Sequence, residues 1–485
     1  MKIPVLLVTV FLLASVSPSM KASRAKPVVA VKKIAQKPTK PSSLVLLYTS
    51  CSRGQIRSCN CTKFQFGGYG REMTLLKSIR ESNPNVVLIE GGDSTAGDDF
   101  QAKLKASVAS SALKLLDYNA IVPGELELGR SGVNYLDYFD PKSVPILCAN
   151  VPDLCSGQGG YIPYAIFKTQ GNLRVGVIGV LDDAITQELR RRGIDQPVTD
   201  PVAVLEKLVP RVRLQSDLVV VVYHGASDTA ARLAAVKRID LVLCTHLTGR
   251  DFLFPDKTTN EVCAPVDKVG STIVVKGQTS TNWSLGRIDL DLSDGKIKSA
   301  THKLFYLDRR YDEDPAMVKV YDDYNKKVAD AVLTRSKKMK KDMEVMLVSR
   351  GLQVNDMRKR LHTSPFAGDK KCKECHADIH DTWSKSQHAH AMATLEATNQ
   401  GFDPECVSCH VTGANTRYGF SNKNDTPEMV NVQCEACHGP GDEHSKDPKA
   451  GYGPVGEETC RSCHTNERTP DFDAEKAWET IKHQL

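Results

Sequence analysis

The sequence predicts a multidomain protein, with an α/β layered domain followed by a small, mostly helical and irregular one. Three observations predict it. At 485 residues the chain is too long for one comfortable hydrophobic core. From Ser43 onward, apolar runs of strand length alternate with amphipathic helical stretches. Beyond residue 370 those runs stop, and cysteine, histidine, glycine and proline crowd the chain instead. The composition is that of a globular protein, 41% hydrophobic and 25% charged, and a net charge of +6 is too mild for a nucleic-acid footprint.

Residues 1–22 read as an export signal: Met1-Lys2, an apolar run from Ile3 to Ala14, then small and polar residues. The run is short for a bilayer span, and no other stretch approaches twenty apolar residues, so no integral membrane domain is expected after signal cleavage. The expected location is the periplasm, the cell surface or the extracellular space. Residues 23–42 form a Lys/Pro-rich tether.

Residues 43–300 carry the layered domain. Its strands are "SLVLLYTS" from Ser43, "NVVLIEGGDST" from Asn85, "VPILCAN" from Val144 and "LRVGVIGVL" from Leu173, then "SDLVVVVYHGASD" from Ser216, "IDLVLCTHL" from Ile239 and "STIVVKG" from Ser271. Each ends in polar or small residues, where an open α/β sheet places its chemistry. The stretches "GREMTLLKSIRESNP" and "DPVAVLEKLVPRVRLQ" read as helices. Residues 301–361 read as a helical connector whose basic cluster "RSKKMKKD" is a solvated face. The last domain spans 362–485.

The fifteen cysteines divide unevenly. Eight lie in the last domain, and every one belongs to a C-x-x-C-H pentamer: Cys372/Cys375/His376, Cys406/Cys409/His410, Cys434/Cys437/His438 and Cys460/Cys463/His464. This spacing lets two thiols add across the two vinyl groups of one haem while the following histidine reaches the iron. Zinc sites pair such motifs without a fixed histidine after each. Four covalent c-type haems would also supply the apolar core that this segment lacks. The remaining seven are Cys51, Cys59, Cys61, Cys148, Cys155, Cys244 and Cys263. In an oxidising compartment disulfides are the default, with Cys148/Cys155 and Cys244/Cys263 as loop-bridging pairs. Cys51, Cys59 and Cys61 offer a redox thiol or a soft-metal site, and the odd count leaves at least one thiol over.

Bis-histidine haems need further ligands, and the candidates are His362, His380, His388, His390, His444 and His483. Here "CKECHADIHDTWSKSQHAHA", "CEACHGPGDEH" and "CRSCHTNERTPDFDAEKAWETIKH" resemble multihaem c-type cytochromes of the cytochrome c554-like family. The resemblance implies distal ligands at His388, His444 and His483. The fourth place is expected for His362, with His380, His390 or a five-coordinate iron as alternatives.

The α/β segment resembles the catalytic domain of the 5'-nucleotidase and calcineurin-like metallophosphoesterases. In that family D-x-H, G-D, G-N-H-E, an isolated His and G-H-x-H hold two divalent metals. The corresponding stretches here keep Asp93, His224 and His246 and put Glu125 for Asn. They also put Cys51 and Arg53 for Asp and His, Leu126 for the catalytic His and Thr248 for the last His. Arg53 brings a fixed positive charge, and Leu126 can neither donate a proton nor hold a phosphate.

Sequence alone therefore predicts electron transfer by a non-catalytic, exported tetrahaem carrier, its first domain serving packing or partner recognition. Residual binding of a divalent metal near Asp93, Glu125, His224 and His246 is a secondary expectation. The alternatives are a metal-dependent phosphoesterase and a multihaem reductase with one open iron. Expected partners are redox proteins, other multihaem cytochromes and further copies of the chain.

Overall fold

The computed structural model describes residues 41–483, other than 59–64, 129–134, 155–159, 228, 247–260, 278–282, 351–363, 417, 449–451, 466–467 and 470–471. The expected signal, nearly all of the tether, Cys59, Cys61, Cys155, Thr248 and His362 lie outside the described residues.

Two sheets form the first part of the chain. The larger contains β1 (Ser43–Thr49), β2 (Val86–Glu90), β3 (Ala120–Ile121), β4 (Ile146–Leu147) and β5 (Tyr161–Ile162), all parallel. The smaller contains β6 (Tyr164–Lys168), β7 (Arg174–Leu181), β8 (Leu218–His224), β9 (Leu241–Cys244), β11 (Val266–Val269) and β12 (Thr272–Lys276). Its four central strands are parallel, with antiparallel edges. β10 (Glu261–Ala264), β13 (Ser284–Ser293) and β14 (Lys296–Tyr306) complete the larger sheet, β13 pairing antiparallel with β1.

The unbroken apolar runs of the sequence follow from burial on both faces. Leu46, Tyr48, Val87 and Ile89 of one sheet share a core with Val175, Val220, Val222 and Leu243 of the other. Outside the larger sheet lie α1 (Tyr69–Ser82), α2 (Phe100–Leu115) and α7 (Pro315–Ser349), packed through Leu76, Leu113 and Tyr321. Between α2 and α7 in sequence come α3 (Glu125–Leu128), α4 (Ile185–Arg191), α5 (Pro201–Arg213) and α6 (Ala230–Ala234). Of these, α5 and α6 cover the smaller sheet through Leu205, Val209 and Leu233. The layers run helix, sheet, sheet, helix.

The C-terminal segment is built differently. Its helices are short, the longest being Ala474–Ile481, and its apolar cluster is small: Phe366, Met392, Leu395, Val411, Phe420 and Met429. It seats on α2 and α7. Gln101 Nε2 donates to Asp403 Oδ1 and, at 2.9 Å, to the Tyr324 hydroxyl. Lys105 pairs with Glu405, and Asn325 Nδ2 donates to Thr398 O at 3.3 Å. Within "RSKKMKKD", Ser336 Oγ donates to Asp425 at 2.8 Å and Lys340 pairs with the same carboxylate. That cluster therefore does more than face solvent.

The expected Cys244/Cys263 disulfide is absent: both are free thiols, Cys244 buried and Cys263 exposed, on strands of different sheets. Cys148 is buried, and its expected partner Cys155 lies outside the described residues. Among the described residues, no helix is long and apolar enough to cross a membrane.

Candidate metal centre and haem segment

The carboxyl ends of β2, β8 and β9 meet at one point. After β2 the chain turns through Gly91-Gly92, and Asp93 follows in the left-handed region at φ 58°. Gly92, at φ 102°, must be glycine, because a Cβ there would lie 2.5 Å from His224 Nδ1. Gly124, just before α3, is constrained by the same ligands: a Cβ would lie 2.3 Å from Asp93 Oδ1 and 2.7 Å from His224 Nε2. β8 ends on His224, and His246 follows β9.

These turns bring Asp93, Glu125, His224 and His246 together, each offering one ligand atom within 4.8 Å of the others. His224 Nδ1–H donates to Gly91 O at 2.7 Å, which turns Nε2 toward Glu125 Oε2 at 2.9 Å. His246 Nδ1 lies 3.3 Å from His224 Nε2. Asp93 Oδ1 accepts from Leu126 N–H at 3.1 Å, whereas buried Asp93 Oδ2 has no hydrogen-bond partner.

Electrostatics mark the cluster as strongly coupled. Burial, opposed by His224 and aided by Glu127 and Glu125, pushes Asp93 up to about 7. Burial also works against the charge on Glu125, but the hydrogen bond and charge of His224, with His246, bring it down to about 2. His224 rises to about 9, because Asp93 and Glu125 outweigh the burial of its ring. His246 is lowered by burial, then by His224, with Arg53 a further cause. Two carboxylates and two imidazoles with an orphaned, buried carboxylate oxygen fit one divalent cation.

Sequence reading missed the group that fixes this geometry. Glu127 accepts backbone N–H bonds from Asp93 (2.8 Å), Thr95 (3.0 Å) and Gly124 (2.9 Å), and the Thr95 hydroxyl at 2.9 Å. It ties the Asp93 loop to the α3 turn from behind. The signal was available, since Glu127 falls on the fourth letter of the G-N-H-E pattern. Cys51 is buried and donates its thiol to Thr245 O at 3.5 Å, and it is not part of the ligand cluster.

In the C-terminal segment, three pairs of imidazoles face one another. Ring centroids lie 6.4 Å apart for His376 and His444, 6.3 Å for His388 and His464, and 5.7 Å for His438 and His483. His438 Nδ1–H donates to Gly453 O and His410 Nδ1–H to Ala391 O, at 2.7 and 2.6 Å, leaving each Nε2 free to ligate. Thiols of different motifs adjoin: Cys372 with Cys434, Cys409 with Cys463, and Cys437 near Cys460.

Among the eight motif thiols, Cys375 differs in exposure. It is exposed, whereas Cys372, Cys406, Cys409, Cys434, Cys437, Cys460 and Cys463 are half-buried. The reason is local: Cys375 sits in the turn between the helices Asp369–Lys373 and Ala377–Trp383, neither of which buries a single residue. Its motif partner Cys372 instead faces inward, toward Cys434. His380 Nε2 meets Asp369 Oδ2 at 3.1 Å and its ring adjoins Trp383, while His390 is exposed; among the described residues neither ring pairs with that of a motif histidine. Among the described residues no histidine ring stacks opposite His410.

A family model described as "Cytochrome c554 and c-prime" matches residues 371–439. Cytochrome c-554 of Nitrosomonas europaea is 30% identical over 149 residues, covering 24% of this chain and 63% of that protein. A snake venom 5'-nucleotidase from Naja atra is 29% identical over 287 residues, covering 56% of this chain and 52% of that enzyme. Among solved structures, a 5'-nucleotidase precursor from Thermus thermophilus matches with a TM-score of 0.51 at 18% identity, over 59% of each chain, and so shares the fold. The chain thus spans less than two thirds of the length of each. It carries a C-terminal cytochrome c554-like segment and an N-terminal domain homologous to metallophosphoesterases of the 5'-nucleotidase kind.

These findings correct two expectations. A first domain kept for packing or recognition would leave its surviving polar groups scattered and satisfied. Instead four of them converge on one point with a buried oxygen unpaired. Together with the homology to phosphoesterases, that overturns the reading of a non-catalytic electron carrier and favours the hydrolase alternative.

Proposed function

We propose that this chain is a metal-dependent phosphoester hydrolase whose α/β domain holds one divalent cation, joined to a segment that binds four c-type haems. The observation that carries it is the convergence of Asp93, Glu125, His224 and His246 within 4.8 Å around an orphaned carboxylate oxygen. A cation held there supplies Lewis-acid chemistry, polarising a phosphoryl oxygen and lowering the pKa of water. The protein's own part is orientation. The Gly91 carbonyl fixes the His224 tautomer, Glu127 holds the Asp93 loop, and Glu125 bridges toward both histidines. Leu126 offers no proton to a leaving group, so esters with good leaving groups should react fastest.

The test is phosphate release by the purified full chain with added Mn²⁺ or Zn²⁺, using p-nitrophenyl phosphate and a nucleoside 5'-monophosphate. Activity should vanish with a chelator, return with metal and be missing in His224→Ala. Metal-loaded protein that releases no phosphate from either ester would overturn the proposal.

For the haem segment, the eight motif cysteines would attach the haems and His376, His410, His438 and His464 would be proximal ligands. The exposed Cys375 would hold the solvent-facing side of the first haem, with Cys372 on its inner side. Two metal–imidazole bonds of about 2 Å, plus roughly 1 Å from each nitrogen to its ring centre, put the centroids about 6 Å apart. The three ring spacings support His444 opposite His376, His388 opposite His464 and His483 opposite His438. The haem on His410 would take His362 or keep an open position. Bound haems supply one-electron chemistry. An exported location accompanies this reading, because covalent haem attachment belongs outside the cytoplasm. A pyridine haemochrome assay with intact mass should give four haems per chain; fewer would refute that count.

A further inference from the structure

Cys51, Arg53 and Asp93 all hold left-handed backbone, at φ 53°, 47° and 58°. Such conformations cost a residue with a Cβ about 1 kcal/mol or more. They persist because the turn after β1 is stapled to the Asp93 loop rung by rung. Cys51 N–H donates to Gly92 O at 2.7 Å, Arg53 N–H to Asp93 O at 2.8 Å and Gly54 N–H to Ser94 O at 3.0 Å. Ser52 Oγ adds a bond to Ser94 O at 3.1 Å. Cys51 and Ser52 are buried by this arrangement, while Arg53 is exposed. The backbone of the arginine is thus fixed beside the ligand cluster through the backbone of a ligand.

Among the described residues, no carboxylate pairs with the Arg53 guanidinium. The backbone N–H bond of Arg53 to Asp93 O puts the residue next to the ligand cluster. The two ligand carboxylates would balance one divalent cation, with Glu127 behind the Asp93 loop as a further acid. Arg53 adds an exposed positive charge on the turn hydrogen-bonded to that loop. A planar fork of donors in that position matches a tetrahedral oxyanion.

We propose that Arg53 is the anion-binding residue of the centre, holding a non-bridging oxygen of the substrate's phosphoryl group. It does so where two-cation phosphoesterases carry a metal ligand. The inference rests on the hydrolase reading for the identity of the anion. It also assigns the centre one metal per chain, since a fixed cation occupies the ground of the second.

Inorganic phosphate is the probe, titrated calorimetrically into the full, Mn²⁺-loaded chain, with metal content measured on the same samples. A lost charge-assisted contact predicts phosphate binding about ten- to a hundredfold weaker in Arg53→Gln. Metal content should stay at one per chain, and Arg53→Lys should recover part of the affinity. Phosphate binding unchanged in Arg53→Gln, or undetectable in the native chain, would overturn the assignment, as would two metals per native chain. Hydrolysis of p-nitrophenyl phosphate is scored separately. If the native chain hydrolyses nothing yet binds phosphate through Arg53, the hydrolase reading fails and the anion site stands. If it hydrolyses the ester and Arg53→Gln changes neither KM nor inhibition by phosphate, the hydrolase reading stands and the Arg53 assignment fails.

Discussion

At the residue scale, Gly124 shows how tightly the centre is specified. An added Cβ would press on Asp93 and His224 alike. Gly124→Ala should therefore cut metal content sharply in a chain that still folds, with an overpacking cost of roughly 1–3 kcal/mol. Metal analysis beside circular dichroism checks it. A second residue sets a pH dependence. Glu72 is fully buried in α1, and burial, against the Tyr118 hydrogen bond and Arg80, raises it from 4.5 to about 7. Below 4.5 both folded and unfolded states hold the proton. Between 4.5 and about 7 the folded state holds more, so stability falls as pH rises, by a few kcal/mol in all. Glu72→Gln should raise Tm at pH 8 and leave it nearly unchanged at pH 4.5. Some of this was legible: Asp93, Glu125, His224 and His246 each end an apolar run, where a strand delivers its chemistry. Glu127 was legible only through the G-N-H-E pattern, and Glu72 not at all, because a glutamate on a helix reads as solvated until its partners are known.

At the element scale, the Asp403 carboxylate does two jobs. It caps the helix Pro404–Val407 by accepting from Glu405 N–H at 3.0 Å, and it receives Gln101 from α2. Asp403→Ala removes the cap and leaves Gln101 without one of its acceptors in a buried seam. A loss of about 2–4 kcal/mol follows. A lower urea midpoint, followed by Soret absorbance, measures it. The β13–β14 hairpin turns on Asp294-Gly295, both at positive φ, and its alternation is visible in "RIDLDLSDGKIK". What the sequence did not disclose is that β13 inserts beside β1, a pairing nearly 250 residues distant. Helix α2 was passed over for a different reason: its Ala-, Ser- and Lys-rich face is small and gives a weak apolar stripe.

For the whole molecule, the thiol contacts order the haem motifs differently from the sequence. Cys372 adjoins Cys434, Cys437 adjoins Cys460, and Cys463 adjoins Cys409. The second motif in sequence is thus last in space, and it is the one flanked by Asp403 and Glu405 at the seam with α2. The first motif stands at the other end of that series, with Cys375 open to solvent. Removing residues 362–485 should expose Gln101 and Tyr324 and lower the stability of the metal-loaded α/β domain. A urea melt that matches the full chain would contradict this. The sequence made the motifs legible but not this order, because pairing across the segment is set by tertiary packing that no local spacing encodes.

The seam has one more consequence. Helix α2 begins only a few residues after Asp93, and its first turn supplies Gln101 to Asp403. One short piece of chain therefore belongs to both chemistries. The two halves are not interchangeable cassettes that could be cut at the connector and refitted to other partners. Another α/β domain grafted onto this segment would also have to bring a matching α2.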